Sequence, residues 1–107
     1  MKIIGIDPGL IQTGFGIINV SNNQTTLIDY GIIKPQAKDT LANRLLTIFN
    51  DVCEIISNYN PQIFAIEEVF YGKNVKSAMR LGQARGASMV AAASKNIPIY
   101  EYSARKV

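Results

Sequence analysis

The sequence contains no histidine and no tryptophan, and Cys53 is its one cysteine. A single cysteine excludes an internal disulfide, and the absence of histidine argues strongly against a zinc site. A metal ion bound by this chain would need oxygen ligands, which favours Mg²⁺ or Mn²⁺. The sequence also lacks a membrane-length apolar run and the pattern of a signal peptide. We therefore predict a cytoplasmic protein that does not contact a membrane.

The acidic residues are distributed unevenly along the chain. Residues 1–68 carry seven acidic and four basic groups, whereas residues 69–107 carry seven basic groups and one acid. No acid occurs between Glu68 and Glu101. A segment with charge of one sign favours a polyanionic partner, although a solvated helix face explains the pattern equally well.

Hydrophobic periodicity and turn signals predict one domain over residues 1–107, with seven elements in the order βββαβαβ. The predicted strands cover residues 2–7, 13–20, 25–34, 62–68 and 97–102, and the predicted helices cover residues 40–59 and 74–95. This order favours an α/β fold with one mixed five-stranded sheet, in which an antiparallel meander is followed by parallel strands joined through helices. Residues 103–107 look like the start of another helix. We therefore expect a C-terminal helical part to be missing, which would leave one face of the sheet uncovered.

Two predicted strands end in acidic residues. Asp7 ends the first strand and Glu67 ends the fourth, so the two carboxylates lie a few ångströms apart if these strands are parallel neighbours. Unpaired carboxylates this close repel each other, and a divalent cation between them removes the repulsion. Each acid also has a structural explanation. Asp7 opens an Asp-Pro-Gly turn that its side chain could bond, and Glu67 with Glu68 could simply run into solvent.

The segment after Glu68 combines aromatic, basic and small residues. Phe70 and Tyr71 are suited to stack on splayed bases, although Tyr71 could equally belong to the core. The basic side chains that could neutralise phosphates are Lys73, Lys76, Arg80 and Arg85. The second predicted helix carries small residues that would let the sheet or a second copy of the helix approach closely, among them Gly82, Gly86 and Ala87.

Taken together, these motifs resemble the RuvC-type Holliday junction resolvases, which are endonucleases of the RNase H-like superfamily. The matching blocks follow the family's order and spacing over nearly the whole chain: GIDPG, TGFG, FAIEEVF, KNVKSAMRLGQARG and IYEYSARKV. The resemblance implies an RNase H-like fold and a homodimer that makes paired nicks in four-way DNA junctions during recombination and repair. It also implies two Mg²⁺ or Mn²⁺ ions per site, and the RuvA and RuvB branch-migration proteins as partners.

The resemblance also assigns roles to individual residues. It implies that Asp7 and Glu67 are catalytic metal ligands, whereas Glu68 occupies a position that the family does not use as a metal ligand. It implies that Phe70 lies at the junction crossover and that the second helix takes part in the dimer. The family's DNA-facing segment falls on Lys73, Asn74, Lys76 and Arg80. Two further family aspartates lie beyond the last residue of this sequence, so we expect the 107-residue chain alone to cut DNA poorly.

Three other interpretations of the sequence stay open. ATP-binding proteins of the actin–sugar kinase type also begin with a strand, an Asp and a Gly-rich hairpin, but they need a second domain that 107 residues cannot supply. A non-catalytic junction-binding remnant of a resolvase would keep the basic segment. An RNase H-like RNA-processing nuclease is disfavoured by the EEVFYGKN block.

Overall fold

The computed structural model describes residues 1–68 and 74–103, which contain the seven predicted elements in the predicted order. The strands are β1 (Lys2–Asp7), β2 (Thr13–Ser21), β3 (Gln24–Ile33), β4 (Ile63–Glu67) and β5 (Ile99–Tyr102). The helices are α1 (Leu41–Tyr59) and α2 (Val75–Ser94). Every boundary lies within two residues of its prediction. Neither helix is long and apolar enough to cross a membrane. The helix predicted to start at residues 103–107 falls almost wholly outside the described residues.

The five strands form one mixed sheet in the order β3-β2-β1-β4-β5. The first three strands are an antiparallel meander, and β4 and β5 are added in parallel to β1. Asn22 and Asn23 make the two-residue turn between β2 and β3 with φ values of 52° and 64°. Asparagine tolerates this left-handed region, which suits the twist of a tight hairpin. The predicted α/β fold class is confirmed.

The core lies between one face of the sheet and the two helices. Ile4 and Phe64 are fully buried at the centre of β1 and β4. Helix α1 contributes a stripe of large apolar side chains at three- and four-residue spacing: Ile48, Val52 and Ile56. Helix α2 contributes mainly alanines, and its small side chains let it lie close to α1 and β5.

The opposite face of the sheet is covered by neither helix. Tyr30, Ile32 and Tyr100 on this face are 73%, 60% and 57% exposed. Side chains alternate between the two faces along a strand, so the same open face carries Asp7 at the end of β1 and Glu67 at the end of β4. The predicted acids therefore lie on the accessible side of the sheet.

A polar contact fastens the end of α1 to the outer strand β3. The Tyr59 hydroxyl donates a hydrogen bond to the Asp29 carboxylate, which also accepts one from the Tyr30 N–H at 2.8 Å. The Tyr59 bond, followed by the Tyr30 bond, lowers the pKa of Asp29 below its ordinary value. The same bond to Asp29, with a smaller effect of burial, raises the pKa of Tyr59.

This contact predicts a pH-dependent effect of Tyr59→Phe. Because the pKa of Asp29 is lowered by folding, the stability that Asp29 contributes is present above its unfolded pKa of 3.8 and is lost as the pH falls through the lower folded value. We expect the variant to melt at a lower temperature than the wild type at pH 7, and the difference to shrink in acid. Thermal melts followed by circular dichroism across this pH range measure the effect. A difference that is constant with pH would assign the loss to packing instead.

Candidate metal and nucleic-acid site

The register of the sheet brings the two predicted acids together. Ile6 of β1 pairs with Ile66 of β4, so Asp7 and Glu67 are neighbours at the carboxyl ends of two parallel strands. Adjacent strands lie about 4.8 Å apart, and residues in register point to the same side of the sheet. Glu68 belongs to the alternate set, and its N–H donates to the Tyr102 carbonyl at 2.7 Å.

Neither carboxylate is used to hold the fold together. Asp7 is exposed and Glu67 is half-buried. Within residues 1–68 and 74–103, neither side chain forms a hydrogen bond or an ion pair. Two unpaired carboxylates side by side are electrostatically unfavourable unless a cation or a proton lies between them. The pair therefore has the chemistry of a cation-binding site.

The turn after Asp7 is closed by a different residue. The fully buried Thr13 hydroxyl donates to the Gly9 carbonyl at 2.7 Å and accepts from the Gly9 N–H at 3.2 Å. The alternative in which Asp7 bonds its own turn is thus not what the structure contains. A Cβ atom at Gly9 would lie 2.4 Å from the Gln12 carbonyl oxygen, so this tight loop requires glycine. The loop is fixed without the Asp7 carboxylate, which therefore stays free to bind a cation.

Glycines open a space beside Asp7. Gly14 pairs with Asp7, and Gly16 pairs with Gly5 one step further along the strands. Together with Tyr102 they line a shallow cavity of about 310 Å³ next to the Asp7 carboxylate. A larger side chain at these positions would project into that space. The opening leaves room for water molecules or a phosphate group at the carboxylate.

Arg85 on α2 binds the main chain at Glu67, the second predicted metal ligand. Its Nε donates to the main-chain carbonyl of Glu67 at 3.0 Å, and its guanidinium forms an ion pair with Glu101 on β5. The Arg85 side chain is only 16% exposed. These contacts fix the ends of β4 and β5 against α2. The structure thus gives Arg85 an internal role that its basic character alone did not predict, while a DNA contact by Arg85 stays a prediction.

The described residues supply some of the oxygen ligands that a hard divalent cation needs. Mg²⁺ takes six oxygen ligands and usually keeps several waters, so Asp7 and Glu67 can hold one ion with water completing its shell. In the part of the chain that the structure describes, no group of three or more histidine, cysteine, aspartate or glutamate side chains could hold an ion together. The donor set suits Mg²⁺ or Mn²⁺, and the two acids alone would bind such an ion weakly.

Three of the described residues predicted to contact DNA, Asn74, Lys76 and Arg80, lie at the start of α2. Asn74 caps this helix, and its side-chain oxygen accepts from the Ser77 N–H at 3.1 Å. Lys76 and Arg80 are exposed in the first two turns. Three predicted contacts fall outside the described residues: Phe70, Tyr71 and Lys73.

The structure places the small residues predicted at a dimer contact in two different environments. Gly86 and Ala87 are half-buried and line an apolar cavity of about 450 Å³ between α1 and α2. Leu46 and Val90 border the same cavity and are 52% and 58% exposed. Gly82 is exposed and does not line it. The accessible apolar surface therefore centres on Gly86.

A sheet of this order, with acids at the carboxyl ends of the neighbouring parallel strands β1 and β4, defines the RNase H-like class of folds. Residues 3–107 match the family model described as crossover junction endodeoxyribonuclease RuvC. The chain belongs to the RuvC family, as the sequence motifs predicted.

Individual relatives agree with this assignment. Crossover junction endodeoxyribonuclease RuvC from Saccharophagus degradans is 48% identical over 105 residues, which cover 98% of this chain and 61% of the relative. The RuvC protein of Citrifermentans bemidjiense is 46% identical over 107 residues, covering all of this chain and 65% of the relative. The structure of T. thermophilus RuvC in complex with a Holliday junction substrate superposes with a TM-score of 0.88 at 29% identity, over 96% of this chain and 66% of that one. The chain thus spans a little under two thirds of the length of the curated relatives it matches.

Proposed function

We propose that this chain carries the nuclease fold of a Holliday junction resolvase, which cuts four-way DNA junctions by metal-dependent phosphodiester hydrolysis in recombination and repair. The proposal is carried by the carboxylates of Asp7 and Glu67, which lie side by side on an open sheet face and have no partner among the described residues. The names of the relatives, and the junction bound in the T. thermophilus complex, support this substrate.

Asp7 and Glu67 are the proposed metal ligands, and Mg²⁺ or Mn²⁺ is the proposed ion, with two ions in the complete site. When bound, such ions activate a water molecule and stabilise the leaving 3′ oxygen. The protein's own part is positional. Thr13 fixes the loop after Asp7, Arg85 holds the main chain at Glu67, and the glycines beside Asp7 leave space for the scissile phosphate.

The proposed DNA contacts come from the start of α2 and from the segment that precedes it in the sequence. Lys76 and Arg80 are exposed cations at the start of α2, and the preceding segment adds Lys73 and the aromatic Phe70. Each phosphate that is neutralised in duplex DNA contributes about 0.9 to the slope of log affinity against log salt. Electrostatic binding by this cluster should therefore weaken steeply as salt is added.

Two assays on the 107-residue chain test the proposed function. Gel-shift titrations in Ca²⁺ should give tighter binding to a four-way junction than to a linear duplex built from the same arms. Incubation with Mn²⁺ should then produce slow nicks that disappear in Asp7→Asn and persist in Glu68→Gln, a matched loss of charge on the other face. Junction binding without any Mn²⁺-dependent nick would favour a junction-binding remnant, and equal binding of both DNAs would contradict both proposals.

A second copy of the chain is the proposed occupant of the apolar surface around Gly86. A twofold enzyme matches the approximate twofold symmetry of a four-way junction, and that match would place one nuclease site on each of two opposite strands. The exposed Leu46 and Val90 beside Gly86 give this surface the apolar character of a subunit contact. RuvA and RuvB are proposed as further partners on the family resemblance.

We predict that Gly86→Leu abolishes self-association without harming the fold. A Cβ atom at Gly86 meets nothing within 4 Å in the isolated chain, and Gly86 borders an open apolar cavity, so we expect the monomer to accept the larger side chain. Replacing a helical glycine should even stabilise α2, by about 1 kcal/mol for alanine. Sedimentation velocity and thermal melts of the wild type, Gly86→Ala and Gly86→Leu measure both effects. A dimer that survives Gly86→Leu, or a wild type that stays monomeric at high concentration, would refute this contact surface.

A further inference from the structure

A second cavity lies on the helix side of the loop that follows Asp7. The loop at residues 9–12, the first turn of α1 and the start of α2 line this open cavity, which has a volume of about 410 Å³. Its polar lining includes Arg44, Ser77 and Arg80, and none of the described residues that line it is acidic. Two cations therefore meet in one cavity without a neutralising carboxylate.

Arg44 is only partly satisfied by the protein. Its Nη2 donates to the Leu10 carbonyl at 3.2 Å, which ties α1 to the loop. Its Nε is buried and has no hydrogen-bond partner. Among the described residues, it is the one buried side-chain nitrogen or oxygen without a partner. An unpartnered buried donor, especially a charged one, costs stability, which an acceptor in the cavity would recover once the side chain moves to meet it.

The helix ends add to the positive potential. Arg44 lies in the first turn of α1, and Ser77 lies in the first turn of α2. Neither helix has an acidic residue in its first turn, although the exposed Asp39 directly precedes the N-cap Thr40 of α1. Arginine offers a planar fork of donors that matches phosphate oxygens, and helix N-termini bind anions readily.

We propose that Arg44 and Arg80 together grip one backbone phosphate of the bound DNA in this cavity. This inference rests on the proposed function and specifies how the substrate is held. The cavity loop begins two residues after Asp7, so a phosphate bound there anchors the DNA beside the carboxylates. Arg44 lies outside the basic segment at residues 69–107, and therefore the contact extends the DNA surface onto α1.

The salt dependence of DNA binding tests the proposal. The 107-residue chain would be titrated in Ca²⁺ with the four-way junction and with a linear duplex, at several salt concentrations. We expect Arg44→Gln and Arg80→Gln each to lower affinity about tenfold and to lower the slope of log affinity against log salt by up to about 0.9. The double variant should lose less than the sum of the two single variants, because both side chains act on the same phosphate.

Two controls separate this effect from general causes. Lys95→Gln removes one positive charge at the far end of α2 and should leave the slope unchanged. Arg80 is exposed and forms no hydrogen bond or ion pair with the described residues, so Arg80→Gln tests the site without disturbing the loop. Thermal melts identify any loss of folding in Arg44→Gln, which also breaks the bond to Leu10.

The outcomes distinguish a failure of the phosphate site from a failure of the proposed function. A slope that falls with the duplex supports the phosphate site even if the junction is not preferred, in which case the proposed function fails alone. Slopes unchanged in both arginine variants would overturn the inference and leave the proposed function intact. A final experiment titrates the protein with inorganic phosphate and follows the arginine Nε–Hε groups by nuclear magnetic resonance. A phosphate-induced shift at Arg44 combined with unchanged DNA slopes would identify a free-phosphate site and also overturn the inference.

Discussion

The 107-residue chain should bind a four-way junction but cut it at least about 100-fold more slowly than the longer Saccharophagus degradans relative, a loss of about 2.7 kcal/mol of transition-state stabilisation. Hydrolysis assisted by two ions needs ligands for both of them. In the described part of this chain, Asp7 and Glu67 form a pair that no third metal-ligating side chain joins. The family resemblance assigns two further aspartates to positions beyond this sequence.

A radiolabelled junction incubated with Mn²⁺ and resolved on a denaturing gel measures the cutting rate, and a gel shift in Ca²⁺ confirms binding of the same DNA. The longer relative, assayed in parallel at equal concentration, sets the reference rate. Symmetric nicking at a comparable rate by the 107-residue chain would show that two carboxylates suffice, or that other groups supply the missing ligands.

Phe64→Ala should destabilise the fold severely, far more than a substitution at either metal-site carboxylate. Phe64 is fully buried on the strand that carries Glu67, between the sheet and the two helices. Removing a buried phenyl ring costs about 3–5 kcal/mol, while a domain of this size has about 5–15 kcal/mol in total. That cost corresponds to a fall of roughly 15–30 °C in melting temperature.

Tyr30→Ala provides the matched control on the open face. Tyr30 is also an aromatic strand residue, but it is 73% exposed, so its removal should lower the melting temperature by only a few degrees, about the scale of a surface substitution. Thermal melts of both variants by circular dichroism measure the contrast. Equal losses would show that the open face is buried in solution by self-association, and a mild effect of Phe64→Ala would contradict a core centred on this ring.

The fold was predictable because its signals are local. Alternating apolar residues mark the strands, the spacing of three and four residues marks α1, and Asn60-Pro61 marks the end of α1. The parallel pairing of β1 with β4 was only permitted by the connectivity, because α1 joins β4 to β3 and not to β1. The structure supplies that pairing and thereby places Asp7 beside Glu67. The strands and helices themselves depend on the chain's own periodicity, which can be read directly from the sequence.

The contacts that tune the site were not predictable in the same way. Thr13 closes the loop after Asp7, and only its position four residues after Gly9 hinted at this role. Arg85 was assigned to DNA from its charge alone, whereas the structure turns its guanidinium toward the Glu67 carbonyl and Glu101. Arg44 gave no signal, since its cavity is formed by segments more than 30 residues apart in the chain. The direction of a long side chain depends on tertiary neighbours that a single sequence does not specify.

The most direct test of the central claim, that Asp7 and Glu67 share a divalent cation, is a Mn²⁺ titration of the free-ion signal by electron paramagnetic resonance. The wild type should bind Mn²⁺ weakly, and Asp7→Asn and Glu67→Gln should each weaken binding at least about tenfold because each removes a carboxylate ligand. Glu68→Gln, which removes the same charge from the other face of the sheet, should bind as the wild type does. Equal Mn²⁺ binding by the wild type and Asp7→Asn, or an equal loss in Glu68→Gln, would contradict a site built from Asp7 and Glu67.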